Sequence, residues 1–578
     1  MRPNTSSRRA LWLTTLASLG LFAALFAACD TTPTPVGITP TATRTPRPTI
    51  TLTPSPTPTP AWPVTVFVPE GLPAPVADAL DAALTEHPDL FALAGSAEAA
   101  DVRVTLHPSV AAAGMSPAEP LTANPDPDGI LLTEWTYALV APFPTLTDEV
   151  AWAAVASSWS VTPTGPFAGQ PILMTADTAA TLAAVMGKPA PRSTEIVLPE
   201  EIVQRAWDTR PAWAIVPFDQ LEPRWKVLRI GDESVLRKDL NTSTYPLTVR
   251  ASVTGMERGV ARLRELLPPT LTNRDPAKLT IVAMTGVTAL SRATAMRMER
   301  HGPTYPAGDI RPWLLDADIT HVSNEVSFAE NCPPPGDYYT MVFCSSPGYI
   351  ELLEDVDIDV VELTGNHLLD WGLEAMKLSL TMYNTRDIPY FGGGWNLAEA
   401  QTPLTLTHGV HTFGFVGCNP AGPRSDWATQ DLPGAAPCDY DMVFDQIRQM
   451  REQGIIPIVT LQYWEFYQYD PTPQQRDEFR ALAEAGAAIV SGSQAHQPQG
   501  FDFHAGSFIH YGLGNLFFDQ MWSLETRQEF VDWHVFYDGR HISTEVLTAI
   551  LEDYARPRPM TPEEREELLT ATFAASGW

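Results

Sequence analysis

The chain has 578 residues and a formal charge of −31 at pH 7, with 37 Lys and Arg against 68 Asp and Glu. A charge of this sign argues against nucleic acid or an anionic membrane surface as the main partner, because both would be repelled. The residues that follow position 62 are enough for two or three domains with ordinary hydrophobic cores.

The N-terminus has the order of a secretory signal peptide. Three arginines stand among the first nine residues, residues 11–28 are apolar, and Cys29 follows two alanines. Bacterial lipoproteins are cleaved and lipidated at a cysteine in this place, so residues 1–28 are predicted to be a lipoprotein signal peptide and Cys29 the lipidation site. An uncleaved anchor helix is the alternative, because the apolar run is just long enough to span a bilayer. Either way, the sequence predicts an extracytoplasmic protein attached to the cell membrane.

Residues 29–62 are dominated by Thr and Pro and contain few apolar side chains. Such a segment cannot bury enough surface to offset chain entropy, and repeated Pro favours extended polyproline II. We therefore expect a linker that holds the folded part away from the membrane.

The region 63–265 alternates short apolar runs with helical patterns. Strands are predicted at 64–68, 102–106, 135–141 and 213–217, and helices at 76–84 and 178–186. This alternation indicates an α/β domain with parallel strands. Its last part, residues 212–228, loosely resembles the second lobe of a periplasmic solute-binding domain, so the sequence predicts a solute-binding-like α/β domain.

Turn-forming residues at 266–278 mark a boundary before a second α/β region. This region is predicted at 278–550, with a helical tail at 551–578. Its strands are predicted at 279–284, 360–363, 411–416, 455–461, 487–490 and 508–511, and its helices at 442–451 and 474–485.

Four cysteines remain when Cys29 is set aside: Cys332, Cys344, Cys418 and Cys438. An even number outside the cytoplasm indicates disulfides. Proximity in sequence favours Cys332–Cys344 and Cys418–Cys438, although three pairings can be drawn. A zinc site is less favoured, because no CxxC spacing occurs in the sequence.

Polar residues cluster where strands of the second region end, which is the edge of an open α/β sheet at which ligands bind. The clusters are DITHVSNE at 318–325, TGNHLLDWG at 364–372, GGGWN at 392–396, GSQAH at 492–496 and YGLGN at 511–515. In this order and spacing, the Asn-His-x-x-Asp-x-Gly and Tyr-x-Leu-Gly-Asn elements together resemble the CapA-type capsule (poly-γ-glutamate) biosynthesis family. The resemblance covers about residues 278–545.

The resemblance implies a calcineurin-like metallophosphoesterase fold, a four-layer α/β sandwich with a polar site at one edge. In that superfamily, Asp, Asn and His side chains bind two divalent metals that activate water. The implied metal ligands in this chain are Asn366, His367 and His496. The implied catalytic residues are His367, Asp370, His496 and Glu325.

Several positions depart from the family pattern. Val287 stands where the family has Asp, Gln462 and Gln494 replace two histidines, and Ser323 replaces Asn. A valine cannot coordinate a cation, and amide oxygens are poorer transition-metal ligands than imidazoles. We therefore expect at most one weakly held divalent ion (Mn, Fe or Zn), or a binding site without metal.

Each candidate also has a structural interpretation. Asn366 could cap a helix, the two histidines could be buried and hydrogen-bonded, and the two acids could only orient them. The aromatic run at 463–469 suits core packing as well as contact with a polymer.

The sequence thus predicts a membrane-tethered protein that takes part in making, retaining or exporting an extracellular polymer. By resemblance, the polymer is poly-γ-glutamate or a capsular polysaccharide, and catalysis at the site would be metal-assisted hydrolysis or transfer. The expected partners are the membrane, through the lipid anchor, and the polymer or other capsule-assembly proteins. The alternatives are a non-enzymatic lipoprotein that binds a solute or polymer, and a structural surface scaffold.

Overall fold

The computed structural model describes residues 62–109, 129–161, 163–268, 271–336 and 340–578. The predicted signal peptide, Cys29 and nearly all of the predicted linker lie outside the described residues. Residues 61–578 form one compact unit. Within the described ranges, no helix is long and apolar enough to cross a membrane.

The first part of this unit is built on a ten-stranded sheet with a separate two-stranded pair, β5 and β10. The strands are β1 (Val64–Phe67), β2 (Phe91–Leu93), β3 (Val102–Pro108), β4 (Ile130–Pro142), β5 (Glu149–Val150), β6 (Ile172–Met174), β7 (Thr194–Ile196), β8 (Trp213–Pro217), β9 (Trp225–Val227), β10 (Arg229–Ile230), β11 (Thr248–Gly255) and β12 (Leu271–Thr272). The helices are α1 (Ala74–Glu86), α2 (Trp152–Ser160), α3 (Ala176–Met186), α4 (Ile202–Asp208) and α5 (Glu257–Leu266).

The main path of the large sheet runs β2-β1-β3-β11-β4-β8-β6-β7. The predicted parallel arrangement is wrong for its centre, where β11 runs antiparallel to β3 and β4, and β4 runs antiparallel to β8. A parallel neighbour needs a long crossover, usually a helix. The residues of β8 are all buried, so its continuous apolar run fits a parallel or an antiparallel neighbour equally well, and the sequence pattern does not set the direction.

The second part contains a nine-stranded sheet, a six-stranded sheet and a two-stranded pair, β18 and β21. The strands are β13 (Leu279–Thr285), β14 (Val287–Thr288), β15 (Ile319–Asn324), β16 (Val360–Glu362), β17 (Tyr390–Phe391), β18 (Gly393–Gly394), β19 (Leu404–His408), β20 (His411–Cys418), β21 (Gly434–Ala435), β22 (Ile456–Gln462), β23 (Ile489–Ser493), β24 (Phe501–His504), β25 (Ser507–His510), β26 (Asn515–Phe517), β27 (Gln528–Tyr537), β28 (Arg540–Glu552) and β29 (Arg556–Pro559). The helices are α6 (Arg292–His301), α7 (Arg311–Leu315), α8 (Ile350–Asp355), α9 (Leu373–Asn384), α10 (Leu397–Ala400), α11 (Tyr440–Glu452), α12 (Pro473–Ala485) and α13 (Pro562–Ala575).

The two larger sheets of this part pack face to face. Their orders are β17-β16-β15-β13-β27-β28-β29 and β19-β20-β22-β23-β25-β24, with parallel strands where the site-bearing loops emerge. Aromatic side chains fill the space between them; the rings of Phe413 and Phe536, for example, lie 4.9 Å apart. The predicted α/β class is confirmed as a mixed α/β fold with several sheets.

Helix α12 shows how the sequence sets these elements. Thr472 caps its N-terminus by accepting from the backbone N–H of Gln475, and Pro473 occupies the first turn, where no N–H partner is needed. Gly486 ends the helix with φ +112°, which glycine adopts without strain. Buried Phe479, Leu482 and Ala483 lie on one face and hold the helix against the six-stranded sheet.

Side chains from both parts of the unit meet in one interface. Phe143, at the end of β4, packs against the rings of Phe501 and Phe573 at 5.5 and 5.9 Å. Asp148 pairs with Arg565 of the last helix at 2.8 Å. The final helix α13 is therefore held by apolar and charged contacts. The predicted domain boundaries stay predictions.

Candidate functional site

The polar clusters predicted from sequence follow the strand ends of the two facing sheets. Glu325 comes directly after β15, and residues 364–372 follow β16. Gln462 ends β22, and His496 lies in the turn after β23. Because parallel strands end at a common edge, these side chains converge on one place.

Glu325 lies at the centre of the site and is almost fully buried. Its Oε1 accepts a hydrogen bond from Nε2 of Gln462 at 2.6 Å. Burial raises the pKa of this carboxyl above its ordinary value, while His496, His367 and the bond from Gln462 act in the opposite direction. Both histidines are thus within electrostatic reach of Glu325.

The loop after β16 comes close to Glu325 because it contains Gly365. A Cβ at that position would stand 2.5 Å from Cα of Glu325, so only glycine permits the approach. Next to it, Oδ1 of Asn366 accepts from Nε2 of Gln462 at 3.2 Å. The helix after the loop is capped at Gly372, so Asn366 is not a helix cap and faces the site instead.

His367 is paired with Asp370. Nδ1 of His367 and Oδ2 of Asp370 are 2.7 Å apart, and the same carboxylate oxygen accepts from the backbone N–H of Phe343 at 2.8 Å. Burial alone would lower the pKa of His367. The hydrogen bond to Asp370 and the charges of Glu325, Asp370 and Asp426 outweigh it and raise that pKa above the ordinary value. The imidazole is therefore biased toward its cationic form.

His496 approaches from the six-stranded sheet. Both Gln494 and His496 adopt left-handed backbone conformations, with φ of +69° and +51°. Such conformations are costly for residues other than glycine and are often found at functional sites. Nδ1 of His496 donates to Oδ1 of Asn515 at 2.8 Å. This bond leaves Nε2 of His496 as the nitrogen available to a ligand.

Asp426 is a site residue that the sequence reasoning missed. It is buried in the loop between β20 and β21, and its Oδ2 has no hydrogen-bond partner. Burial, followed by repulsion from Asp370, raises its pKa to about 7, although His367 opposes the shift. The sequence offered one signal, since the loop follows a strand end and is closed by Cys418 and Cys438.

Arg292 forms the rear wall behind the two histidines. Its guanidinium lies 4.9 Å from the ring centre of Phe343 and 4.7 Å from that of Phe518. Phe343 in turn contacts the ring of His367 at 4.3 Å, and Phe518 contacts that of His496 at 5.4 Å. The cation also pairs with Asp519. One aromatic and cationic layer therefore supports both imidazoles from behind.

Both disulfides join the pairs that proximity favours, Cys332–Cys344 and Cys418–Cys438. The first closes the loop that carries Phe343, which contacts His367. The second closes the loop that carries Asp426. Each cross-link limits the freedom of a loop beside the site.

The positions that depart from the family pattern differ in their surroundings, and Oε1 of Gln494 is buried without a hydrogen-bond partner. Val287 is fully buried in β14. Oγ of Ser323 contacts Oγ of Ser493 at 3.1 Å, and Asn324 donates to the hydroxyl of Tyr383, away from the site. The Nε2 of Gln462 occupies the oxygens of Glu325 and Asn366, which would otherwise be free to bind a cation.

This donor set does not fit a two-metal centre. The side-chain N–H groups of Gln462 point at the oxygens that a metal would need, and Val287 stands where the family has an acid. In the part of the chain that the structure describes, no group of three His, Cys, Asp or Glu side chains is arranged to hold a metal ion. The arrangement instead offers a cationic imidazole, a buried carboxyl of raised pKa and amide donors. These groups suit binding and polarising of carboxylate, phosphate or amide oxygens.

The structure thus brings together all five of the predicted site residues: Glu325, Asn366, His367, Asp370 and His496. Two other predicted elements do not contact the centre of the site: the glycine-rich turn at 392–394 and the Tyr-x-Leu-Gly-Asn element. Their glycines lie where the chain packs so closely against its neighbours that a side chain would collide. Asn515 of that element is the exception, because it holds His496.

The part of the chain that contains the site is similar to a known protein family. Residues 281–520 match the family described as "Bacterial capsule synthesis protein PGA_cap". Over this segment, the chain is similar to the CapA-type capsule biosynthesis family. The family resemblance read from the sequence motifs is confirmed, and all five site residues lie inside the matched segment.

Two curated relatives of the CapA-type domain show how far the similarity extends. The chain is 27% identical over 192 residues to the PGA biosynthesis protein CapA of Bacillus subtilis, which covers 33% of this chain and 50% of that protein. It is 26% identical over 300 residues to the capsule biosynthesis protein CapA of Bacillus anthracis, covering 50% of this chain and 71% of that protein. The match therefore spans only half of the Bacillus subtilis relative.

Among solved structures, an ABC-type phosphate transport receptor from Vibrio cholerae aligns with 35% of this chain and 93% of its own, at 13% identity. The TM-score is 0.26. A likeness at this level carries no argument about the fold or ligand of this chain.

Proposed function

We propose that this protein acts outside the cytoplasm in the biosynthesis or export of a capsule-type extracellular polymer. The observation that carries the proposal is the convergence of Glu325, Asn366, His367 and His496 at one sheet edge, inside the segment that matches the capsule synthesis family. The names of the two Bacillus relatives support capsule or poly-glutamate polymer as the substrate.

The proposed chemistry uses the side chains that the site contains. His367, held by Asp370, supplies a positively charged hydrogen-bond donor for a carboxylate or carbonyl oxygen of the polymer. The side-chain amide of Asn366 can donate to a carbonyl oxygen of the polymer, while Gln462 donates to Glu325 and Asn366 and holds them in place. Burial raises the pKa of Glu325, so its protonated form, which can donate a hydrogen bond, is closer in energy than in an ordinary glutamate. These groups bind and orient a unit of the polymer at the sheet edge.

The proposal includes the anchor and the fold likeness predicted from the sequence. Lipidation at Cys29 and the Thr/Pro-rich linker would hold the protein at the outer face of the membrane. The facing sheets of the second part suit a metallophosphoesterase-like sandwich, and the first part suits a solute-binding-like domain. A single divalent ion at Asn366, His367 and His496 is the alternative occupant that we propose for the site. Its binding would require neutral His367 and would break the hydrogen bond from Gln462 to Asn366.

A second candidate is a non-enzymatic binding lipoprotein. One observation favours it: Val287, Gln462 and Gln494 stand where the family has an Asp and two His. The site therefore keeps side chains that can bind a polymer, but it has fewer metal ligands with which to activate water. Under this alternative, the protein binds the polymer without shortening or extending it.

The test is equilibrium binding of poly-γ-glutamate to the full chain in detergent, with polymer length followed in parallel by gel electrophoresis. His367→Ala should weaken binding about tenfold, which corresponds to loss of one charge-assisted contact. His504→Ala is the matched control, because His504 pairs with Glu484 on the surface.

Binding should also be tighter at pH 6 than at pH 8.5, because the pKa of His367 is raised and its cation is lost as pH rises through it. Equal binding by wild type and His367→Ala would overturn the proposed site. A change of polymer length by the wild type alone would select the enzyme over the binding lipoprotein.

A further inference from the structure

Two loops beside the site carry exposed aromatic side chains. The first follows β22 and holds Trp464 and Tyr467, which are 39% and 46% exposed. The second follows β26 and holds Trp522, which is 55% exposed. We call these three side chains the aromatic platform. Scattered apolar side chains are ordinary on protein surfaces, but three aromatic rings at the mouth of one site form a contact surface.

The three platform rings make contacts with neighbouring aromatic rings. Trp464 packs edge-on against buried Tyr463 at 4.6 Å, and Tyr467 lies 6.2 Å from Trp522 with an interplanar angle of 63°. Tyr469, further along the first loop, donates to Oε1 of Gln528 at 2.6 Å. At this angle the rings of Tyr467 and Trp522 do not stack on each other.

The platform is connected directly to the site. Gln462, which bonds Glu325 and Asn366, precedes the first loop by two residues. Nδ2 of Asn515, whose Oδ1 holds His496, donates to the backbone oxygen of Thr526 in the second loop at 3.0 Å. Both loops of the platform are therefore tied to residues that hold Glu325 and His496.

The charge of the two loops restricts what can bind there. They carry Glu465, Asp470 and Glu525, while the guanidinium of Arg527 donates to the backbone oxygen of Leu551. The whole chain adds its net charge of −31. A polyanion such as poly-γ-glutamate would be repelled from this surface. An uncharged chain would not.

We propose that the aromatic platform binds an uncharged glycan chain and leads it to the site at Glu325 and His367. Sugar rings present flat C–H faces that pack on Trp and Tyr rings, while their hydroxyls reach acceptors such as Glu465 and Asp470. A poly-γ-glutamate chain has no such faces. The inference rests on the proposed role in polymer assembly and names the polymer class as a glycan.

The experiment is calorimetric titration of the full chain in detergent with two uncharged oligosaccharides, a β-linked glucose hexamer and an N-acetylglucosamine hexamer. Poly-γ-glutamate and anionic lipid vesicles are titrated alongside. The variants are Trp522→Ala and Tyr467→Ala. Tyr554→Ala is the matched control, because Tyr554 is equally exposed on the distant turn between β28 and β29. Thermal melting of each variant checks that it is folded.

Wild type should bind at least one of the two oligosaccharides, and Trp522→Ala should weaken that binding about tenfold, with Tyr554→Ala unchanged. No binding of either oligosaccharide, or binding that the platform variants leave unchanged, overturns the inference. Binding of vesicles through Trp522 in place of the oligosaccharides would assign the platform to lipid instead. Poly-γ-glutamate binding that depends on His367 but not on Trp522 would retain the proposed function while rejecting the glycan platform.

Discussion

Replacing Asp370 with Asn tests the electrostatics of the site. Oδ2 of Asp370 accepts from His367 and from the backbone of Phe343, and the two paired side chains are only 17% and 13% exposed. Asn keeps the shape of Asp but not its charge. The pKa of His367 should therefore fall, because the burial that opposes protonation remains while the attraction that favours it is lost.

The expected size follows from the hydrogen bond. A bond to a charged group contributes about 1.5–3 kcal/mol, and a neutral bond roughly half of that. A histidine whose pKa is raised by folding contributes stability that is fully present below its unfolded value of 6.5 and is lost as pH rises through its folded pKa. Asp370→Asn should therefore lower the free energy of unfolding by about 1–1.5 kcal/mol at pH 6, and by less at pH 9.

The pKa is measured by NMR titration of protein labelled with ¹⁵N in its histidine side chains, with the His367 signal assigned from a His367→Gln variant. The stability difference comes from urea unfolding at both pH values. The control is Glu484→Gln, whose surface pair with His504 at 2.8 Å should contribute only a few tenths of a kcal/mol. An unchanged or higher pKa of His367 in Asp370→Asn, or an equal loss of stability at both pH values, would refute the reasoning.

Three further predictions concern the scaffold. Gly365→Ala should abolish polymer binding, because its Cβ would stand 2.5 Å from Cα of Glu325; normal binding would contradict the packing. Replacing Cys418 and Cys438 with Ala together should cost about 3 kcal/mol in urea unfolding, and no loss would mean that the cross-link does not restrict the unfolded chain. Burial, with His541 and His510 nearby, holds the pKa of His534 well below 6.5. Stability should therefore fall as pH drops below 6.5, and His534→Gln should flatten that dependence; an unchanged slope would contradict it.

The strands of the second part, and the site residues that follow them, could be predicted from sequence. Each strand is an apolar run, and polar residues mark the place where it ends. Strand β13 was predicted at 279–284 and runs Leu279–Thr285, and the site residues follow such strand ends. Parallel strands end at a common edge, so strand position alone was enough to bring Glu325, His367 and His496 together. The same periodicity could not set strand direction in the first part, where β11 is antiparallel, because direction depends on the connection and not on the strand itself.

The missed features depend on contacts between distant loops. Asp426 stands in a loop that matches no motif, and its approach to His367 is set by the fold of the whole loop. Arg292 pairs with Asp519, which is more than two hundred residues away in sequence, and only the folded chain places it behind both histidines. The hydrogen bonds of Gln462 could not be predicted either. A Gln in place of the family's His indicates the loss of a metal ligand, but it does not reveal that Glu325 and Asn366 become its partners.

The most direct test of the account is the metal content of the full chain, purified in detergent without chelator, beside His367→Ala and His496→Ala. The account predicts no more than one divalent ion per chain, with any such ion lost in both variants. Two ions per chain in the wild type would contradict it, because a second ion would need the carboxylate of Glu325, whose Oε1 is the partner of Gln462.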